Sequence, residues 1–141
     1  MEIINHECYV SLEVAKLLKE LGFNWEVKTY YRYLSPYDEY NFEFDSISTN
    51  YNHLNNADFS APSLAVAQRW LREVKGIETY AHVFYDSYDM LDEWDVYVYE
   101  VNHITKHTED YILSYDIYHT HEEAQEAGIK KVLEMILMEG E

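Results

Sequence analysis

The chain reads as an α+β domain with a mainly antiparallel sheet and about three helices. Three stretches, SLEVAKLLKELG, SAPSLAVAQRWLREVKG and THEEAQEAGIKKVLEMILM, combine helix-capping residues with apolar residues at helical spacing. Between them run segments of β-branched and aromatic residues that alternate with polar ones. At 141 residues the chain can bury a substantial core but is short for two ordinary domains, so a single domain over 1–141 is expected.

In the first helix Ser11 offers the capping oxygen. Val14, Leu17, Leu18 and Leu21 fall at i, i+3, i+4 and i+7, and Gly22 closes the element. Trp25 to Leu34 alternates as a half-buried strand does, with Trp25, Val27, Thr29, Tyr31 and Tyr33 on the face expected to look inward. Residues 35–59 form a variable acidic and aromatic segment without a lysine or arginine. Tyr40, Phe42 and Phe44 alternate there with Asn41, Glu43 and Asp45, which predicts a hairpin strand and then an irregular, asparagine-rich tail.

The middle helix is expected over Ser60–Gly76. Ser60 and Ser63 are its N-capping candidates, Pro62 suits its first turn and Gly76 its left-handed close. Ala67, Trp70, Leu71 and Val74 form its apolar stripe, and Trp70 reads as a core residue because burying so large a ring contributes strongly to folding. Three strands come next, beginning near Ile77, Trp94 and Asp110. Thr120 and Glu123 then make a capping-box signature for a last helix that buries Ile129, Val132, Leu133, Ile136 and Leu137. The expected order is α-β(β)-α-β-β-β-α.

The net charge of -17, from 27 acids and 10 bases, excludes ordinary binding to a phosphate backbone. From residue 63 onward the helix–three strands–helix order matches that of double-stranded RNA-binding domains. However, Glu122, Glu123 and Glu126 stand where such a domain needs a basic helix start, so the topology is kept and the activity discarded. Cys8 is the sole cysteine, no apolar run approaches the roughly 20 residues of a membrane span, and the first residues lack a signal-peptide pattern. A cytoplasmic protein without membrane attachment is expected.

Catalytic and metal motifs are sparse. Among seven histidines, His119 and His121 form an H-x-H and are the metal candidates; no HExxH is present, and two turn histidines are ordinarily polar turn residues. The run Asp86, Asp89, Asp92, Glu93 and Asp95 lacks the ligand spacing of an EF-hand loop. With 4 glycines there is no phosphate-binding loop, and neither a cofactor nor a resident metal is expected.

The leading expectation is a non-enzymatic binding protein whose acidic, tyrosine-bearing surface engages a basic protein partner, as an inhibitor or decoy would. Asp89, Asp92, Glu93, Asp95, Tyr97 and Tyr99 are its expected contacts. Tyr80 and Phe84 extend that aromatic patch, for which a homo-oligomer contact is a simpler explanation and a second packed layer built from residues 25–59 simpler still. The alternative is a small-ligand or nucleotide-like binder with an aromatic pocket, served by the scarce bases Lys28, Arg32, Arg69 and Arg72. A metal-dependent hydrolase built on His119 and His121 is the third reading.

Taken together, VSLEVAKLLKELGF, SAPSLAVAQRWLREVKGI and THEEAQEAGIKKVLEMI resemble a family of small proteins of gut anaerobes and their phages and mobile elements. The resemblance spans nearly the whole chain in order. It implies the same helix–strand organisation, brings no catalytic residues with it, and places individual function in the variable segments 35–59 and 86–110.

Overall fold

A computed structural model describes residues 8–84, 93–100, 112–113 and 120–140. The fold is α+β, and among the described residues the strands pair antiparallel in two three-stranded sheets. Contacts gather the chain into two compact units, Met1–Val66 and Ala67–Glu141.

The first unit begins with helix α1 (Leu12–Glu20), capped by the Ser11 hydroxyl, which accepts from the Val14 amide at 3.3 Å. At its other end Gly22, at φ 92, lets the Gly22 and Phe23 amides turn back onto the carbonyls of Lys19 and Leu18, a Schellman closure. Val14, Ala15, Leu18 and Phe23 are buried. Strands β1 (Val27–Leu34), β2 (Glu39–Thr49) and β3 (Phe59–Ser60) lie in the spatial order β2-β1-β3. Strand β1 thus starts two residues later than expected. Its odd-numbered face is the inward one: Thr29 is buried and Val27, Tyr31 and Tyr33 half-buried, while Lys28 and Arg32 are exposed.

Strand β2 is longer than the alternation of Tyr40, Phe42 and Phe44 predicts, and the tail behind it is ordered by asparagines. Asn50 caps a one-turn helix α2 (Tyr51–Leu54), not expected from sequence, by accepting from the His53 amide. Asn52 exchanges hydrogen bonds with Ser60 and donates to the Phe23 carbonyl at 2.9 Å. Ser60 therefore sits in β3 rather than capping the next helix. The loop after α2 is held by Lys19, whose ammonium donates to the carbonyls of Asn55, Asn56 and Asp58 at 2.9, 3.0 and 2.7 Å. Burial lowers its pKa, against the opposing pull of Asp58.

Helix α3 (Leu64–Trp70) starts after Ser63, whose hydroxyl accepts from the Val66 amide at 3.2 Å. It then widens into a π-helical turn, Leu71–Lys75, before Gly76 closes it at φ 70. The wider i→i+5 spacing rotates the later side chains out of the α-helical stripe. Ala67, Trp70 and Leu71 are buried as expected, but Val74 is 51% exposed.

Strands β4 (Ile77–Phe84), β5 (Glu93–Glu100) and β6 (Ile112–Leu113) form the second sheet in that order, and helix α4 (His121–Glu139) packs on β4 and β5. The Thr120 hydroxyl accepts from the Glu123 amide at 3.1 Å, as the capping box predicts. Ala124, Gly128, Ile129, Val132 and Leu133 form the buried stripe of α4, and Ile136 and Leu137 are only half-buried. Gln68 ties this unit together. Its amide donates to the Thr79 carbonyl and to Glu78, and its carbonyl accepts from Gln125 at 2.8 Å.

Two substitutions test this packing. The Thr79 hydroxyl is buried without a hydrogen-bond partner among the described residues, so Thr79→Val should raise stability in urea denaturation by roughly 1 kcal/mol. A loss instead would show that the hydroxyl is satisfied. Lys19→Met removes three hydrogen bonds to carbonyls at once and should cost roughly 1–3 kcal/mol, with Lys19→Arg recovering part of the loss.

Candidate functional site

The residues expected to act fall in several places. Asp89, Asp92 and His119 lie outside the described residues. Glu93, Asp95, Tyr97 and Tyr99 occupy alternate positions of β5, opposite Phe84, His82, Tyr80 and Glu78 in the register. His121 is the first residue of α4, and no group of three or more His, Cys, Asp or Glu converges among the described residues. Arg69 and Arg72 are engaged locally with Glu73 and Glu78, each at 3.0 Å. Arg32 faces Glu43 at 3.5 Å.

The most distinctive surface is β2. It pairs only with β1, so among the described residues its outer edge is open along 11 residues. Edges of this length are ordinarily blunted by lysine, proline or a bulge. Here the ladder is regular over 39–44 and bulges beyond it, and the chemistry is acidic and aromatic: Asp38, Glu39, Glu43 and Asp45 lie on or beside the strand, Phe44 is 61% and Ile47 69% exposed, and Tyr37 at the preceding turn is 74% exposed. The register holds the aromatic side of the strand in place. Thr29, Tyr31 and Tyr33 pair with Phe44, Phe42 and Tyr40. Tyr9 packs against Phe42 and Phe44 at centroid distances of 5.1 and 5.8 Å, and those two rings meet edge-on at 5.3 Å. Such edge and tilted contacts suit aromatic quadrupoles and leave rigid rings at the surface.

Between Val27 and Thr29 the β1–β2 register breaks: Val27 pairs with Thr49, yet Thr29 pairs with Phe44. Residues 45–48 of β2 thus bulge opposite Lys28 alone, and bulges re-aim the side chains around them. A cleft of about 420 Å³ lies at this break, lined by Glu26 to Thr29, Phe44, Asp45, Tyr9 and residues of the segment from Pro62 to Val66. Of the four scarce bases, Lys28 is the one that lines it. Phe44 and Ile47 belong to the long base-free segment, which is the signal the sequence offers for them, whereas nothing in the sequence groups Tyr9 with them.

On the other side of β1, Tyr30 stacks on Tyr51 with ring centroids 4.0 Å apart and planes 13° apart. The Tyr30 hydroxyl donates to Glu43 and the Tyr51 hydroxyl to Asp45, each at 3.1 Å. Burial first, and then these carboxylates, push both phenols above their ordinary pKa. The stack thereby helps hold Asp45 and Glu43 in place on β2.

Comparison of the chain with protein-family models, with curated proteins and with solved structures finds no match.

The tyrosine pair supplies a pH test. Because folding raises both phenol pKa values, its contribution is complete below the ordinary value of 10.0 and is lost as pH climbs through the raised ones. A tyrosinate absorbance titration should show a late-ionising class. Tyr51→Phe should remove one member of that class and lower stability at neutral pH by roughly 1 kcal/mol, a difference that disappears at high pH.

Proposed function

We propose that the protein is a non-enzymatic binding module that captures a basic, extended segment of a partner protein along the open edge of β2. The observation that carries this reading is an edge open among the described residues, regular over 39–44 and bulged over 45–48, that bears carboxylates, exposed Phe44 and Ile47, and no base. An incoming strand gains main-chain hydrogen bonds on such an edge, and side-chain contacts select its sequence. Charge complementarity selects lysine and arginine, and the overall charge of -17 steers the encounter. A second copy is a poor occupant, since it would set Glu39, Glu43 and Asp45 against carboxylates of the same edge.

Asp89 and Asp92, together with Glu93, Asp95, Tyr97 and Tyr99 of β5, are by themselves a separate candidate contact for a basic protein. The resemblance to small proteins of anaerobes and their mobile elements makes an inhibitor of a basic host protein the natural setting for such a module.

The test uses a fluorescent peptide of alternating lysine and valine, with a glutamate–valine peptide as control. Anisotropy should show binding of the lysine peptide alone, weakening as salt rises, and hydrogen exchange should slow at β2 amides when it binds. Glu39→Lys combined with Ile47→Lys should reduce affinity about tenfold or more without altering the circular dichroism spectrum. Protection appearing elsewhere, or affinity unchanged in the double variant while Asp89→Lys with Asp92→Lys abolishes it, would move the site off β2.

A further inference from the structure

The main chain of β1 fixes which groups β2 turns to its open side. The Thr29 carbonyl accepts from the Ala61 amide and the Tyr33 amide donates to the Asp58 carboxylate, each at 3.0 Å, so the odd-numbered residues of β1 face their main chain toward β3. Successive residues of a strand face theirs to opposite sides, and Tyr30, Arg32 and Leu34 therefore address β2, where their partners are Glu43, Asn41 and Glu39. Directly opposed antiparallel residues exchange both hydrogen bonds or neither. Tyr40, Phe42 and Phe44, opposite Tyr33, Tyr31 and Thr29, accordingly direct N–H and C=O away from β1, to the side on which no described strand pairs.

The side chains divide in the same way. Tyr40 and Phe42 share a face with Tyr33 and Tyr31, with ring centroids 5.3 and 5.4 Å apart, and Phe44 continues that face. Lys16 lies over the Tyr40 ring, so the open part of the face is Phe42 and Phe44. Glu43 stands on the opposite face, where it meets the Tyr30 hydroxyl and the Arg32 guanidinium, and Glu39 and Asn41 alternate onto that face with it. The outward main chain thus belongs to the aromatic residues, while the carboxylates sit on residues whose main chain β1 already uses.

Resting on the edge-capture reading, we infer that the occupant is a two-faced strand running antiparallel to β2, not a polybasic tail. Antiparallel is the pairing that β1 makes with both of its neighbours, and it is slightly the more stable per residue. From its own N-terminus the occupant sets an apolar residue against Phe44, a base against Glu43, an apolar residue against Phe42, an uncharged polar one against Asn41, an apolar one against Tyr40 and a base against Glu39. Its apolar residues make the main-chain hydrogen bonds and cover the aromatic face. Its bases fall in the pairs without hydrogen bonds, where Cα atoms approach to roughly 4.5 Å and opposite charges meet most closely. A run of lysines would place every second ammonium on the aromatic face, where an exposed cation–π contact returns little.

The probes are fluorescent, end-blocked hexapeptides, Val-Lys-Val-Asn-Val-Lys and its isomer Val-Val-Val-Asn-Lys-Lys, equal in charge and composition. Anisotropy with the full chain should give about tenfold tighter binding of the alternating peptide. N-methylation of its valines should abolish binding, and N-methylation of its lysines should be tolerated, since those N–H groups point away from β2. In amide exchange followed by NMR, Tyr40, Phe42 and Phe44 should exchange fast in the free chain and slow with the peptide bound, whereas Asn41 and Glu43 should be slow throughout. Phe44→Thr keeps a strand-favouring residue at an exposed position and should weaken the alternating peptide several-fold with an unchanged circular dichroism spectrum. Equal affinity of the two isomers with protection at β2 would keep the edge and overturn the two-faced occupant, as would loss of binding on N-methylation of the lysines. Absence of protection at β2 with either peptide would overturn the edge, and this inference with it.

Discussion

The Lys19 ammonium is the contact on which the first unit depends. One side chain on α1 satisfies three carbonyls of the loop between α2 and β3, matching the three donors of an ammonium to three acceptors. That loop in turn presents the Asp58 carboxylate to the Tyr33 amide of β1 at 3.0 Å. With β3 held beside β1 on one side, the free edge of the sheet falls to β2. Placing a scarce base there, at some cost in desolvation, leaves the acidic strand β2 with Arg32, which faces Glu43, to answer its carboxylates among the described ion pairs.

The helices were legible because their determinants are local. Ser11, Ser63 and Thr120 each cap the backbone a few residues on, and the apolar spacing of α1 and α4 states which face is buried. Where that logic failed, longer-range geometry intervened. Val74 obeys the α-helical period but lies beyond a change to π spacing that no residue pattern announces. Asn50 and Asn52 read as turn residues, yet Asn52 works through Phe23 and Ser60, partners distant in sequence.

The surface was half legible for a similar reason. Acidity and missing bases are properties of sequence, and they pointed to segment 35–59. That β2 is an edge depends on β3 returning to the far side of β1, a tertiary fact. The cleft was hidden further still, because strict alternation predicts a continuous ladder and the break opposite Lys28 arises only in the pairing. Lys28 stood out as a scarce base; Tyr9 and Pro62, remote in the chain, had no reason to be grouped with it.

The base-free character of the β2 region has a practical side. Between Arg32 and Arg69 there is no lysine or arginine, so trypsin has no bond to cut across β2, α2 and β3. Protection from trypsin in that span is compositional and carries no information about folding or occupancy. A protease that cuts after aromatic residues behaves differently, since Tyr37 and Phe44 are both largely exposed. Nicking there reports directly on whether the edge is covered, and it makes chymotrypsin the natural footprinting reagent for this molecule.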